Sequence, residues 1–500
     1  MSDDRPNILW YCTDQQRFDT IAALGNPHVS TAALDRLAAQ GTAFTHAYCQ
    51  SPICTPSRSS FMTGLYPSRL HNCRNGNESF PQRYPLISKL LADAGYDCGM
   101  VGKFHLQSAG FRNEPRLDDG FCSWKFSHAP RDDWAEGHDY ADWVREQGGD
   151  LDALRQCEER VPPELHQTAW ATDRGIEFID QPRGKPWMLA INVYDPHPPF
   201  VPPKIYADRF NPESLPGPHF RESDLAAQQK LQAVDFQTTA LRPQEFDGRR
   251  QQALYYAMIA QIDDQFARLL NHLEQIGQAN DTVVIFSSDH GETLGDHGLQ
   301  FKGCRFYEGL VRVPLLFSWP EKISADVQSD ALVELLDLSA TLLDLGGVTI
   351  PEYFQGRSLL PILCGEKSAD HHRDYVRCEY YDALAAAFVG TGSPDVPAVS
   401  TAGESESAQS PRRFEQDGCL PFTQPSGSYA TMYRDRRFKI VVYHGHDCGE
   451  LFDLEQDPWE FENLWDSAEH QSVKTALLLR NFDAAILTGI DVGSRRIAPM

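Results

Sequence analysis

The stretch Ser51-Pro52-Ile53-Cys54-Thr55-Pro56-Ser57-Arg58-Ser59-Ser60 sets a thiol where an anion would be stabilised. Thr55 can cap a helix, Pro56 suits a first helical position because its missing N–H is not needed there, and Gly64 can close the helix. Cys54 then lies just ahead of free backbone N–H groups, at the positive end of the helix dipole. Arg58, one turn in, can aim a fork of donors at a tetrahedral oxyanion beside Cys54. Composition alone favours reading Cys54 as a buried structural thiol, the usual fate of a free cysteine.

Further candidates follow apolar runs. Asp14 and Gln15 come after Ile8-Leu9-Trp10-Tyr11-Cys12, and Asp289 and His290 come after the run from Thr282 to Phe286. Two carboxylates and an imidazole make a site for a divalent cation with room for substrate oxygens, and Gln15 can add an amide oxygen. The imidazole softens the site and keeps manganese open. Lys103 and His105, two residues apart after the run Tyr96–Val101, point the same way if that segment is extended. His197 sits in Asp195-Pro196-His197-Pro198-Pro199, and Lys302 follows Phe301.

The elements that must position these residues alternate. Short apolar runs at 8–12, 96–101, 187–194, 282–286 and 313–317 read as strands. Helical patterns lie between them, around Leu34, over Leu86–Ala94, over Leu254–Leu273, and from Asp337 as a cap through Leu345. Alternation predicts a mostly parallel sheet between helices, with sites at the carboxyl ends of its strands. The candidates just named fall at those ends.

Residues 110–180 and 201–250 are irregular and read as excursions that shape a substrate pocket or merely cover the sheet. Near 384–428 the composition shifts to Gly, Ser, Pro, Ala and Glu, which predicts a flexible insert. Two strands are expected around Arg434–Arg437. The division expected is a catalytic domain over 1–375 and a C-terminal subdomain over 376–500.

A net charge of −25 argues against nucleic acid or an anionic membrane as partner, so a site for an anionic ester must build its positive potential locally. The segment before Asn7 has no basic-then-apolar leader, and twelve scattered cysteines suit a reduced chain. A cytoplasmic protein is expected.

Cys54-Thr55-Pro56-Ser57-Arg58 with Thr63-Gly64 resembles the C-x-P-S-R signature of type I sulfatases, members of the alkaline phosphatase superfamily. Partner motifs follow in the family's order from about Asn7 to Trp465. The resemblance implies an alkaline-phosphatase-like α/β fold with a small C-terminal antiparallel sheet and helix. It implies oxidation of Cys54 to formylglycine by a formylglycine-generating enzyme, with the aldehyde hydrate as nucleophile. The catalytic set it implies is Cys54, Arg58, Lys103, His105, His197 and Lys302. Asn75, with Asn77 close by, matches a substrate-binding position. Asp14, Gln15, Cys54, Asp289 and His290 match metal positions that hold calcium in the family. Gln15 and His290 stand where many sulfatases have Asp and Asn, and these pairs resemble choline sulfatases and phosphonate monoester hydrolases. The expected reaction is hydrolysis of a small-molecule or saccharide sulfate ester. The alternatives are a phosphonate monoester or phosphodiester hydrolase and a silent anion- or metal-binding protein. Aryl, choline-like and sugar sulfates all fit the resemblance, as do a monomer and a homo-oligomer.

Overall fold

Ile8 to Cys12 is apolar at every position because strand β1 (Asn7–Thr13) is covered on both faces. Ile8, Trp10 and Cys12 enter one core and Leu9 and Tyr11 the other. In the computed structural model, which describes residues 5–75, 77, 79–107, 114–131, 137–383 and 427–490, β1 is central to a nine-stranded sheet. It pairs in parallel with β5 (Trp187–Asn192) and β6 (Thr282–Ser288). β5 pairs in parallel with β3 (Asp97–Gly102), and β3 with β4 (Phe121–Phe126). On the other side, β8 (Leu315–Ser318) runs antiparallel to β6 and to β2 (Thr42–Tyr48). β7 (Arg312–Val313) and β9 (Val327–Glu334) also pair with β2, β9 in parallel.

One face packs against α1 (Ala32–Ala39), α4 (Gln167–Ile179) and α5 (Gly248–Gln275). The other packs against α2 (Cys54–Thr63), α3 (Ile87–Asp93) and α6 (Leu335–Leu345). A second sheet, antiparallel, comprises β10 (Val376–Ala383), β11 (Gly427–Arg434), β12 (Phe438–His444) and β13 (Gly449–Asp453), with α7 (Gln471–Gly489) against it. Its Val376, Tyr380, Met432 and Val441 lie in the same core as Trp10 and Phe61. Buried Lys439 donates to Phe306 O at 2.7 Å and pairs with Glu308 at 3.1 Å, so a cation of the small sheet is anchored on the segment that leads into β7 of the large one.

The alternation predicts β1, β3, β5, β6 and β8 with α1, α2, α3, α5 and α6, but not α4, a core helix inside the 110–180 stretch read as irregular. The expected 313–317 strand is divided between β7 and β8. β2, β4 and β9 are absent from that expectation because TAFTHAY, FCSWKF and VQSDALVE carry no continuous apolar run. Two caps also differ. α2 starts at Cys54 with extended Ile53 as its cap, so Thr55 lies inside the first turn and its Oγ1 caps nothing among the described residues, while its N–H is taken by Asn75 Oδ1 at 2.9 Å. α6 is capped at Glu334, and Asp337 reaches back from the first turn to its N–H at 3.0 Å. Residues 384–426 of the expected insert lie outside the described residues. Among the described residues no helix is long and apolar enough to cross a membrane, and every cysteine is free.

Candidate active site

β1, β3, β5 and β6 deliver their polar residues to one end of the sheet, and α2 brings Cys54 to the same place. Asp14 follows β1 with its N–H on Asp195 O at 3.2 Å, and Asp289 follows β6 with its N–H on Thr13 O at 3.3 Å. The two strands are adjacent and in register, Thr13 opposite Ser288, so their carboxylates arrive side by side. One ligand atom each from Asp14, Cys54, Asp289 and His290 falls within 4.8 Å of the others, and all four residues are buried.

Gln15 takes a left-handed backbone, φ 71°, uncommon for a residue with a side chain. Its N–H donates to Asp289 Oδ1 at 3.0 Å and its carbonyl accepts from Tyr255 Oη at 2.6 Å, which holds that conformation. Its Oε1 accepts from Lys302 Nζ at 2.7 Å. Lys302 Nζ also lies 2.8 Å from Cys54 Sγ, so the amide oxygen faces the cluster.

Cys54 Sγ is ringed by polar groups. His290 Nε2 is 3.1 Å away, Asp14 Oδ1 3.7 Å and Lys103 Nζ 3.9 Å. Burial and Asp14 push the thiol up, but Lys103, Lys302 and His290 bring it below its ordinary value. Lys103 also pairs with Asp14, and burial of that carboxyl is outweighed by the fixed cations Lys103 and Arg58, which hold it well below the carboxylate range. Arg58 Nε donates to Asp289 Oδ2 at 2.8 Å and Nη1 to Lys103 O at 2.8 Å. Nη2, 3.5 Å from Asp14, makes no hydrogen bond among the described residues, which leaves it for an anion. Three cations against two carboxylates give the local positive excess that an acidic chain must build.

The residues present fit a divalent cation. His290 Nδ1 lies 2.8 Å from Gly291 O, a pure acceptor, so Nδ1 carries the proton and Nε2 faces the cluster. Burial lowers the imidazole, yet Asp289 and Cys54 raise it to about 9. A cation bound there would replace a proton at Nε2. Carboxylate and amide oxygens suit calcium, and the imidazole suits manganese.

The other expected residues surround this core. Lys103 is set by its N–H on Asn192 O at 2.8 Å. Gly102 must precede it, because a Cβ there would lie 1.9 Å from that same carbonyl oxygen. His105 is not in an extended segment: β3 ends at Gly102 and His105 is left-handed at φ 56°. Glu114 accepts the N–H groups of His105 and Leu106 at 2.7 Å and of Gln107 at 3.0 Å, and so holds this turn. His105 Nδ1 has no hydrogen-bond partner among the described residues, and burial with Lys103 keeps the ring neutral well below pH 6.5. His197 is likewise lowered by burial and Lys302, with Nδ1 2.6 Å from Pro198 O. Asn75 reaches the site through α2 rather than through a free amide: its Oδ1 is committed to Thr55.

A family model described as "Sulfatase" matches residues 6–348. The chain belongs to the sulfatase family. It is a sulfuric ester hydrolase of the alkaline phosphatase superfamily. It is 28% identical to an arylsulfatase of Clostridium perfringens over 93% of this chain and 92% of that one. It is 29% identical to a multifunctional alkaline phosphatase superfamily protein of Trinickia caryophylli, over 92% and 91%. The crystal structure of a phosphonate monoester hydrolase of Agrobacterium radiobacter superposes with a TM-score of 0.76, covering 97% of this chain and 96% of that one at 25% identity. In this sulfatase, two buried acids that sequence reasoning did not single out hold the site together. Glu114 comes from a segment read as an excursion, with no motif to mark it. Glu292 closes the Asp289-His290-Gly291-Glu292 turn, where the motif was visible and the role was not.

Proposed function

We propose that this sulfatase hydrolyses an organic sulfate ester to an alcohol and inorganic sulfate through formylglycine formed from Cys54 by a formylglycine-generating enzyme. The observation that carries the reading is the position of Sγ, with Lys302, His290, Asp14 and Lys103 all within 3.9 Å. That atom stands in for a hydroxyl of the aldehyde hydrate. Asp14, Gln15, Asp289 and His290 would hold one divalent cation, calcium first and manganese second, which when bound would acidify that hydroxyl and polarise the ester oxygens.

The chain's own residues carry the steps. The hydrate oxygen gives its proton to a carboxylate of the cluster, Asp14 with Oδ1 3.7 Å from Sγ, and attacks sulfur while Arg58, Lys103 and Lys302 balance the charge on the equatorial oxygens. The bond from sulfur to the alcohol oxygen breaks, and that oxygen takes a proton from Lys302 or His197. His197 is neutral without substrate, and an arriving anion raises its pKa and makes it a donor. His105, kept neutral, then accepts the proton of the second hydroxyl. The C–O bond to sulfate breaks, releasing sulfate and restoring the aldehyde. A serine at position 54 would stop at a stable sulfate ester, because it has no second hydroxyl. All proposed residues fall within the first 375, the catalytic division. Free thiols throughout the described residues suit a cytoplasmic setting.

A second reading, phosphonate monoester hydrolysis at the same site, is favoured by the resemblance to the Agrobacterium radiobacter enzyme. A phosphonate monoester, like a sulfate monoester, carries one negative charge and meets the same cations. Comparing kcat/KM on matched nitrophenyl sulfate and nitrophenyl phenylphosphonate decides between them. The sulfatase reading expects the sulfate ester to be the faster substrate; a reversed ratio supports the second reading.

A further inference from the structure

Glu292 is 1% exposed and in direct contact with none of the candidate catalytic cations. Its Oε2 accepts from Gln15 Nε2, and its Oε1 accepts from the N–H of Leu294 at 3.0 Å and from that of Phe301. Phe301 is left-handed, φ 72°, and directly precedes Lys302. One carboxylate therefore holds both partners of the contact between Gln15 Oε1 and Lys302 Nζ.

An amide has two orientations half a turn apart, and its neighbours choose between them. Here a carboxylate faces one end of Gln15 and an ammonium the other. With NH2 on Glu292 and oxygen on Lys302, both contacts attract. Turned over, the amide would set oxygen against carboxylate and NH2 against ammonium, and both would repel. Glu292 thus decides that an oxygen, not an NH2, is presented to Lys302 and the Cys54 position.

We infer that Glu292 is a positioning residue that orients the Gln15 amide oxygen and seats Lys302 against the nucleophile. The inference rests on the metal and nucleophile assignments of the proposed function and adds a residue to them. Glu292→Gln keeps the shape and removes the bias. Its one oxygen is claimed by the Leu294 and Phe301 N–H groups, so its NH2 faces Gln15 and turns that amide over. An NH2 then points at Lys302 and the cation position.

The test is calorimetric titration of manganese and of calcium ions into wild type, E292Q and the exchanged pair Q15E/E292Q, with kcat/KM on nitrophenyl sulfate alongside. The expected result for E292Q is a loss of about 10–100-fold in affinity for the tighter ion and in kcat/KM. In the exchanged pair, Glu at 15 accepts from Gln at 292 on one side and Lys302 on the other, so affinity recovers to within about threefold of wild type. A residue that only braced the loop would give no such recovery, and an exchanged pair as weak as E292Q overturns the inference. So does wild-type ion affinity in E292Q. If E292Q fails to fold, the exchanged pair alone decides, since it must fold and bind. The titration needs no substrate, so a protein that binds ions as expected yet cleaves no sulfate ester contradicts the function and not this inference.

Discussion

Lys302 Nζ lies 2.8 Å from Cys54 Sγ, at the bottom of a buried site. Burial alone would lower the lysine, but Cys54 and Asp14 hold its pKa above the ordinary value, and Lys302 in turn helps lower the thiol. A fixed ammonium next to the nucleophile position follows from the loop at 301–303 and from Gln15.

Lys302→Met keeps the length of the side chain and removes the charge. kcat/KM for nitrophenyl sulfate should fall by about 10²–10³, the usual cost of losing one preorganised charge contact to a transition state. Steady-state kinetics checks this, and a change within twofold would remove Lys302 from the mechanism.

In the proposed mechanism the two neutral histidines act at different steps. His197→Ala should depress hydrolysis of alkyl sulfates far more than of nitrophenyl sulfate, because an alkoxide leaves poorly without a proton and a nitrophenolate hardly needs one. His105→Ala should slow all substrates toward one rate and leave a sulfated residue 54. Rates over a leaving-group series, with intact-protein mass spectrometry, separate the two; equal losses across the series for His197→Ala would reverse its assignment.

Asp289 is a proposed cation ligand and the partner of Arg58 at 2.8 Å. Asp289→Asn removes the charge facing a fully buried guanidinium. Stability should drop by about 3–5 kcal/mol, as when one member of a buried ion pair is deleted. Urea unfolding without added metal measures this apart from ion binding, and a drop under 1 kcal/mol would mean that Asp14 alone suffices for Arg58.

Asp337 and Arg373 form a buried pair between α6 and the segment before β10, with Arg373 Nε 2.7 Å from Asp337 Oδ2. Burial raises the carboxyl, but Arg373 and His372 more than offset it and hold it well below the carboxylate range. A folded pKa below the unfolded value of about 3.9 contributes stability in full above that pH and loses it as pH falls through the folded value. Arg373→Met leaves the acid buried without its cation, so its pKa rises instead. The variant's contribution from Asp337 should then improve as pH falls from 7 to 4, where the wild-type contribution is flat. Urea midpoints across that range check the sign.

The sheet's parallel centre was legible because β1, β5 and β6 are covered on both faces and spell continuous apolar runs. The site was legible for the same reason: a polar pair such as Asp14-Gln15 stands out after such a run. β2, β4 and β9 were not, since His46 or Lys125 inside a strand breaks any simple pattern. Orientation was the other limit. Spacing placed Lys103 and His105 together but could not show the left-handed turn at His105, which Glu114 holds from nine residues away. Nor could it show that Asn75 would spend its oxygen on Thr55, or that Arg58 would divide its donors between Asp289 and the Lys103 carbonyl.

The central claim, that the nucleophile is formylglycine at position 54, is tested most directly by peptide mass spectrometry of Cys54 in preparations of graded activity. Co-expression with a formylglycine-generating enzyme at several levels supplies the series. With formylglycine as nucleophile, kcat per molecule rises in proportion to the fraction of residue 54 converted to the aldehyde, and extrapolates to zero with none converted. Full activity in a preparation whose Cys54 is entirely unconverted would contradict it.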